Sequence, residues 1–372
     1  MNEEELDHFY FGFSNKCLWP LFHYFIEFHQ FDTHQWEYYI QVNQKFADEV
    51  LNVIEDGDKV WIHDYQLMLC PQMIKDIMPD VTVGFFLHIP FPSFEIFRIF
   101  PERERLLNGL LGADLIGFHT YDYERHFLSS VKRILNLEVN FNIILHQGRE
   151  IVVNTFPMGI DYKKFEISAL ESVKKDDSKI SELKKQINTH KLENKGKLIL
   201  SIDRLDYTKG VVNRLLAFER FLDTYPQYRD KIRLVMLAVP SRSKVAQYKK
   251  LKRQTDEVVG RINGKFASVN WTPVWYYYRS MEFENLIDLY VSSDVAMITP
   301  LRDGMNLVAK EYLATRINND GVLILSELAG SSKELPQALL VNPFDIEQLS
   351  ESIKIAIEMP LKEQKERNIL LR

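Results

Sequence analysis

The feature that most constrains this chain is a recurrence of short, nearly unbroken apolar runs, rich in β-branched and aromatic residues, with longer helical patterns between them. A first series is Val60–His63, Val81–Leu87, Asp114–Phe118 and Ile151–Phe156. A second is Leu198–Ile202, Ile232–Ala238, Val295–Thr299, Val322–Leu325 and Leu339–Val341. Strands with one wet face alternate apolar and polar residues. These do not, so they are expected to be buried on both faces, in parallel sheets covered by helices. Two series predict an α/β chain of two doubly wound, Rossmann-like domains facing a cleft, with ligands outside the carboxyl ends of the strands. The expected domains are 1–160 and 198–372, joined by a polar segment, 161–197. Within that segment Lys174-Lys-Asp-Asp-Ser178 and Lys184-Lys-Gln-Ile-Asn188 read as solvated helix and loop in preference to a charged interaction site.

A length of 372 residues suffices for two such cores. Lys plus Arg number 46 against 52 Asp plus Glu, a net charge of −6 that gives no footprint for nucleic acid. The only cysteines, Cys17 and Cys70, read as small packed hydrophobes in a reducing compartment. No apolar run is long enough to span a membrane, and the acidic start, Met1 to Asp7, is unlike a signal peptide, so a cytoplasmic protein is expected.

Several motifs lead away from common chemistries. G-x-G-x-x-G is absent, and Gly260-Arg-Ile-Asn-Gly264-Lys265 lacks the spacing of a phosphate-binding P-loop; Arg261 and Lys265 are expected in a solvated loop. Asp56-Gly-Asp58 has the D-x-D form of a metal-dependent sugar transferase, but it precedes a strand and reads as a turn. His119 and His126 lie on an expected helix with no metal-ligand spacing, so no zinc or other metal is expected.

Two segments carry the chemistry. In Ser201-Ile-Asp-Arg204-Leu-Asp206-Tyr-Thr-Lys209-Gly210, a buried strand runs into a turn bearing Arg204 and Lys209. A planar fork beside a point charge suits diphosphate oxygens. The alternative is an Arg204–Asp206 ion pair with Lys209 in solvent. In Asp294–Glu311, a strand meets a glycine-bearing turn and then a helix. Gly304 permits close backbone approach, and the amides of Met305, Asn306 and Leu307 at the helix start form an anion site. Asp303 is placed to accept from sugar hydroxyls and Glu311 from a vicinal diol such as a ribose. Alternatively Asp303 is a helix N-cap and Glu311 a surface residue. Taken together, the two segments read as a nucleotide-sugar site. The N-terminal half adds Tyr10, Trp19, His63, Asp64 and His88, polar groups and aromatics suited to a sugar, although Tyr10 and Trp19 taken alone read as core in preference. Arg242 follows a strand and is suited to a second phosphate.

These strings, together with Trp61–Tyr65, Phe86–Pro92, Gly112–Thr120, Phe156–Asp161, Gly260–Lys265 and Leu301–Glu311, resemble the trehalose-6-phosphate synthases, retaining GT-B glycosyltransferases. The resemblance covers nearly the whole chain. It implies metal-free glucosyl transfer from UDP-glucose to glucose 6-phosphate, with the acceptor hydroxyl attacking the face from which UDP leaves. It implies that Arg204 and Lys209 hold the diphosphate, that Asp303, Gly304, Met305, Asn306 and Leu307 hold glucose and phosphate, that Glu311 holds the ribose and that Leu286 lies against the uracil. Tyr10, Trp19 and Arg242 match acceptor residues, with Arg242 on the 6-phosphate, while Asp64 and His88 face the transferred glucose and Asp64 also serves the acceptor side. On this pattern, catalysis falls to Asp64, His88, Arg204, Lys209 and Asp303.

The pattern also has departures. The family's first strand, glycine-rich donor loop, early basic acceptor contact and final helical segment are expected to be lacking, with an unpaired sheet position as the cost. Gln66 stands where His is usual and Phe94 where a small polar residue is usual. The competing expectation is an inactive or weakly active regulatory subunit that binds sugar phosphate in a synthase complex. A further one is an incomplete form of a longer active protein. A homo-oligomer or a complex with trehalose-6-phosphate phosphatase is compatible with either function.

Overall fold

The computed structural model describes residues 1–174, 185–187, 189–191, 196–242 and 245–372. Most of the expected solvated linker, including residues 175–178, 184 and 188, lies outside the described residues. The chain divides into two compact units, Met1–Met158 and Gly159–Arg372.

In the first unit the strands are β1 (Lys59–His63), β2 (Thr82–Phe86), β3 (Leu115–Phe118), β4 (Val139–Asn140), β5 (Ile143–His146) and β6 (Arg149–Thr155), in the order β1-β2-β3-β6-β5-β4. The first four positions of that order are parallel, as the unbroken apolar runs require. The other end is an antiparallel hairpin that the sequence reading did not foresee. Gln147 and Gly148 both take positive φ, 50° and 76°, at its tip, the two-residue turn whose twist matches paired strands. At the opposite edge β1 pairs with β2, and its Trp61 is 67% exposed.

In the second unit the strands are β7 (Lys197–Arg204), β8 (Ile232–Val239), β9 (Val274–Tyr277), β10 (Val295–Ile298), β11 (Val322–Ser326) and β12 (Leu339–Val341). All are parallel, in the order β12-β11-β10-β7-β8-β9. Successive residues of β7 and β8 bury on opposite faces: Ile199, Leu234 and Met236 join one core, while Leu198, Leu200 and Val235 join the other. The order reverses between β7 and β10, where the chain leaves the sheet in opposite directions. That switch point opens a crevice outside the carboxyl ends of the two strands.

The Gly260–Lys265 string requires correction. It is not a loop but part of a helix, Ala246–Phe266, whose buried face carries Tyr248, Leu251, Thr255, Val258, Val259 and Ile262. Arg261 pairs with Glu219 and Lys265 with Asp223 across to the neighbouring helix. His119 likewise precedes its helix, Tyr121–Ser130, and does not share it with His126. Both cysteines are buried free thiols; burial pushes Cys70 up to about 12.

Candidate functional site

At the switch point, β7 ends on the exposed Arg204 and a tight turn follows. Asp206 caps it by accepting from the Thr208 amide at 3.0 Å, and Gly210 closes it at φ 66° before the helix Val211–Thr224. A Cβ at Gly210 would stand 2.5 Å from the Thr299 carbonyl, so the turn lies directly on the segment leaving β10. Leu301 and Arg302 donate their amides to the Thr208 carbonyl at 2.7 and 3.2 Å. The turn after β10 is held in addition by the loop after β11. Gly330 donates to the Asp303 carbonyl at 3.1 Å and Ser331 to the Met305 carbonyl at 2.8 Å. Gly330 approaches so closely that a Cβ there would meet the Gly304 oxygen at 2.0 Å.

This stitching brings Lys209 and Asp303 together across 94 residues of sequence, Nζ to Oδ2 at 2.6 Å, with both side chains nearly buried. Asn306 donates to the same carboxylate oxygen at 2.9 Å. It also corrects two alternatives from the sequence. Lys209 is not solvated, and Asp206 pairs with Arg242 at 2.9 Å instead of Arg204. The N-cap of the helix Leu307–Ala314 is Asn306, at φ 74° and accepting from the Ala309 amide, not Asp303. Met305 is buried behind the turn. Further along that helix, half-buried Glu311 accepts from the Tyr290 hydroxyl at 2.6 Å; burial raises its carboxyl and the hydroxyl partly offsets that. Leu286 packs at the margin of one core. Arg214, which the sequence reading missed, is completely buried beneath the turn. It donates to Asp203 at 2.5 Å, to the Lys209 carbonyl at 2.6 Å and to the Met297 carbonyl at 3.1 Å. Its only sequence signal was a cation on the apolar face of a helix.

The first unit holds its own set at the ends of β1 and β2. Asp64 follows β1 at φ 71°, a conformation costly for a non-glycine residue and favoured here by its bonds. Its amide donates to the Phe86 carbonyl at 2.8 Å, and its carboxylate accepts from the His88 amide at 3.2 Å. The His88 ring lies 2.9 Å from that of His63, Nε2 to Nδ1. Burial, then the His63 charge, holds His88 below the ordinary histidine range, favouring neutral imidazole. Trp19 is 4% exposed and lies against His23 and Tyr65, while Tyr10 is half-buried. Asn15, another residue not anticipated, joins them: it donates to the Tyr10 carbonyl at 2.6 Å and accepts from the Tyr65 hydroxyl at 3.0 Å. Residues 6–18 wind as π-helix, shown by the Trp19 amide bonding five residues back to the Ser14 carbonyl. Such winding is rare and is concentrated at functional sites. Among the described residues no group of three or more His, Cys, Asp or Glu side chains is arranged to hold a metal ion, and no helix is long and apolar enough to cross a membrane.

The second unit therefore offers fixed cations, a carboxylate and backbone amides where a doubly wound sheet binds nucleotides. The first offers a carboxylate, an imidazole and aromatic faces. Comparison with known proteins bears on both. The family model described as glycosyltransferase family 20 matches residues 1–371. The chain is 45% identical over 368 residues to an alpha,alpha-trehalose-phosphate synthase (UDP-forming) of Schizosaccharomyces pombe, covering 98% of this chain and 70% of that protein. It is 47% identical over 366 residues to a bifunctional trehalose-6-phosphate synthase/phosphatase of Thermoproteus tenax, spanning 98% of this chain and about half, 49%, of that one. A UDP-forming synthase of Burkholderia xenovorans, solved in complex with glucose 6-phosphate, superposes with a TM-score of 0.93 at 35% identity, covering 100% of this chain and 82% of that one.

Proposed function

The chain belongs to glycosyltransferase family 20, with its GT-B fold, and on that footing we propose that it transfers glucose from UDP-glucose to glucose 6-phosphate, giving trehalose 6-phosphate and UDP with retention at the anomeric carbon. The observation that carries this reading is the convergence at the switch point of the second unit: Arg204 at the tip of β7, the Lys209–Asp303 pair and the turn before Leu307.

Breaking the bond from glucose to UDP builds positive charge on the sugar and negative charge on the diphosphate. In this reading Arg204 and Lys209 stabilise the diphosphate as it departs, and the amides from Gly304 to Leu307 add fixed dipoles that need no reorganisation during the step. Asp303 orients Lys209 and accepts from glucose hydroxyls. Glu311, already oriented by Tyr290, takes the ribose, and Leu286 lies on the uracil side. Asp64 and His88 meet the transferred glucose; Tyr10, Trp19 and Arg242 receive glucose 6-phosphate. Because retention requires attack from the face that UDP leaves, the departing phosphate is the base nearest the incoming hydroxyl. The reading includes metal-free catalysis and a cytoplasmic location. It extends to assembly with a second copy or with a trehalose-6-phosphate phosphatase, supported by the two-activity name of the Thermoproteus relative.

The test is trehalose 6-phosphate formation by the purified chain from the two substrates, with Arg204→Ala and Asp303→Asn as controls. Product that falls at least 100-fold is expected in Arg204→Ala, since one well-placed oxyanion donor is worth about 100-fold or more in kcat, and Asp303→Asn, which leaves Lys209 without its ion-pair partner, should fall as well. A folded chain that binds UDP or glucose 6-phosphate yet makes no product would replace this reading with the regulatory one.

A further inference from the structure

Hydrogen bonds around Asp206 connect two places that the proposed function gives to different substrates. Asp206 is wholly buried. One of its oxygens accepts from the Thr208 amide, inside the turn that carries Lys209. The other accepts from Arg242 Nη1 at 2.9 Å and from the Tyr248 hydroxyl at 2.7 Å. That hydroxyl in turn accepts from Arg242 Nη1 at 2.6 Å, so one phenol oxygen gives its proton to the carboxylate and a lone pair to the guanidinium. Burial alone would raise the Asp206 carboxyl, but Arg242, the Thr208 amide, Tyr248 and Lys209 outweigh it and leave the group below its usual range. Burial and then the Asp206 charge push the Tyr248 phenol well up, so it keeps the proton it donates. Arg242 has a left-handed backbone at φ 42° and a side chain only 5% exposed. A guanidinium so enclosed is directed in part by these partners.

We propose that Tyr248 is a positioning residue for the acceptor: its hydroxyl, with Asp206, orients Arg242 toward the 6-phosphate and ties that cation to the turn that holds the donor diphosphate. The inference rests on the assignment of Arg242 to the acceptor phosphate. Arginine recognises phosphate through a fixed fork, so a misdirected guanidinium loses affinity without losing charge. Tyr248 stands on the first turn of the helix Ala246–Phe266, with its ring edge-on to Tyr207 at 5.4 Å, so removal of the oxygen alone leaves the packing in place.

The experiment is steady-state kinetics of Tyr248→Phe with each substrate varied, alongside Arg242→Gln, the double variant and their melting temperatures. For Tyr248→Phe, the KM for glucose 6-phosphate is expected to rise about tenfold, the scale of one charge-assisted hydrogen bond, with kcat and the KM for UDP-glucose within about twofold. Arg242→Gln should raise the same KM further, and the double variant should show no additional effect of Tyr248. Tyr248→Met, which also lacks the hydroxyl, should shift the same KM in the same direction. A lower melting temperature with unchanged KM, or an equal rise in both KM values, would overturn the positioning role. If Arg242→Gln raises the acceptor KM and Tyr248→Phe does not, the inference fails while the functional reading stands. If neither variant raises it, the assignment of Arg242 fails as well.

Discussion

Lys209 and Asp303 show how charge is held at this site. An ion pair this enclosed contributes little net stability, because desolvation offsets attraction, but a lone partner left behind costs several kcal/mol. Its role is therefore better understood as placement: Asp303 fixes the ammonium at the position that the proposed function gives to the diphosphate. The sequence showed that Arg204, Lys209 and Asp303 were charges at strand ends. It could not show which pairs form, since Asp206 finds Arg242 and Lys209 finds Asp303 only through strand order. The same limit hid Tyr248, Asn15 and Arg214, whose importance lies in partners distant in sequence. A different residue is expected to contribute to the response to acid. His190 is 3% exposed, and burial, followed by the Arg233 charge, lowers its pKa to about 4. An unfolded histidine titrates near 6.5, so below that pH the unfolded chain takes up a proton that the folded chain refuses. The contribution is complete above about pH 6.5 and is lost as the pH falls toward 4, by about 2 kcal/mol between pH 7.5 and 5. Urea unfolding at those two pH values should show the loss in the wild type and a flatter dependence in His190→Gln. An unchanged slope in the variant would assign the acid sensitivity elsewhere.

At the level of elements, the strands that were legible are those whose apolar runs are unbroken because helices cover both faces. β9 escaped notice because Val274–Tyr277 is an edge strand with three half-buried aromatic residues. β4 and β5 escaped because they are short, and the Gln147-Gly148 turn that joins β5 to β6 is not a strong two-residue hairpin signal. The Gly260–Lys265 error has a definite cause. Two glycines four residues apart weaken a helix by about 1 kcal/mol each relative to alanine, which is the local signal for a loop. The helix persists because its opposite face buries Val258, Val259 and Ile262, while Asn263 exchanges bonds with both backbone groups of Val274. Gly210 is the contrasting case, a glycine whose conformation is required. A side chain there would incur both the left-handed penalty of about 1–2 kcal/mol and the contact with the Thr299 carbonyl. Gly210→Ala should lower stability by about 2 kcal/mol or more and, by displacing Lys209, reduce kcat more than it raises the acceptor KM. Wild-type stability in urea would show that the turn relaxes freely, and the argument that Gly210 holds the site together would fail.

Across the whole molecule, each unit carries its own sheet and its own set of proposed site residues, and the strand order of the second gives it a switch-point crevice without any glycine fingerprint. Stability should therefore respond to ligands unit by unit. A nucleotide that binds only the folded second unit stabilises it by mass action, about 2.7 kcal/mol at a concentration 100 times its Kd. Hydrogen exchange can resolve where that free energy appears. With UDP alone, amides of β7, of the turn through Gly210 and of Leu301–Ala314 should exchange more slowly, by up to about 100-fold where opening requires unfolding of the unit. Amides of β1 and β2 should keep their rates, because the diphosphate contacts assigned to UDP all come from the second unit. Arg204→Ala should reduce the protection of the second unit. Protection that first appeared in β1 or β2, or that was unaffected by Arg204→Ala, would move the nucleotide away from the switch point and take the proposed donor site with it.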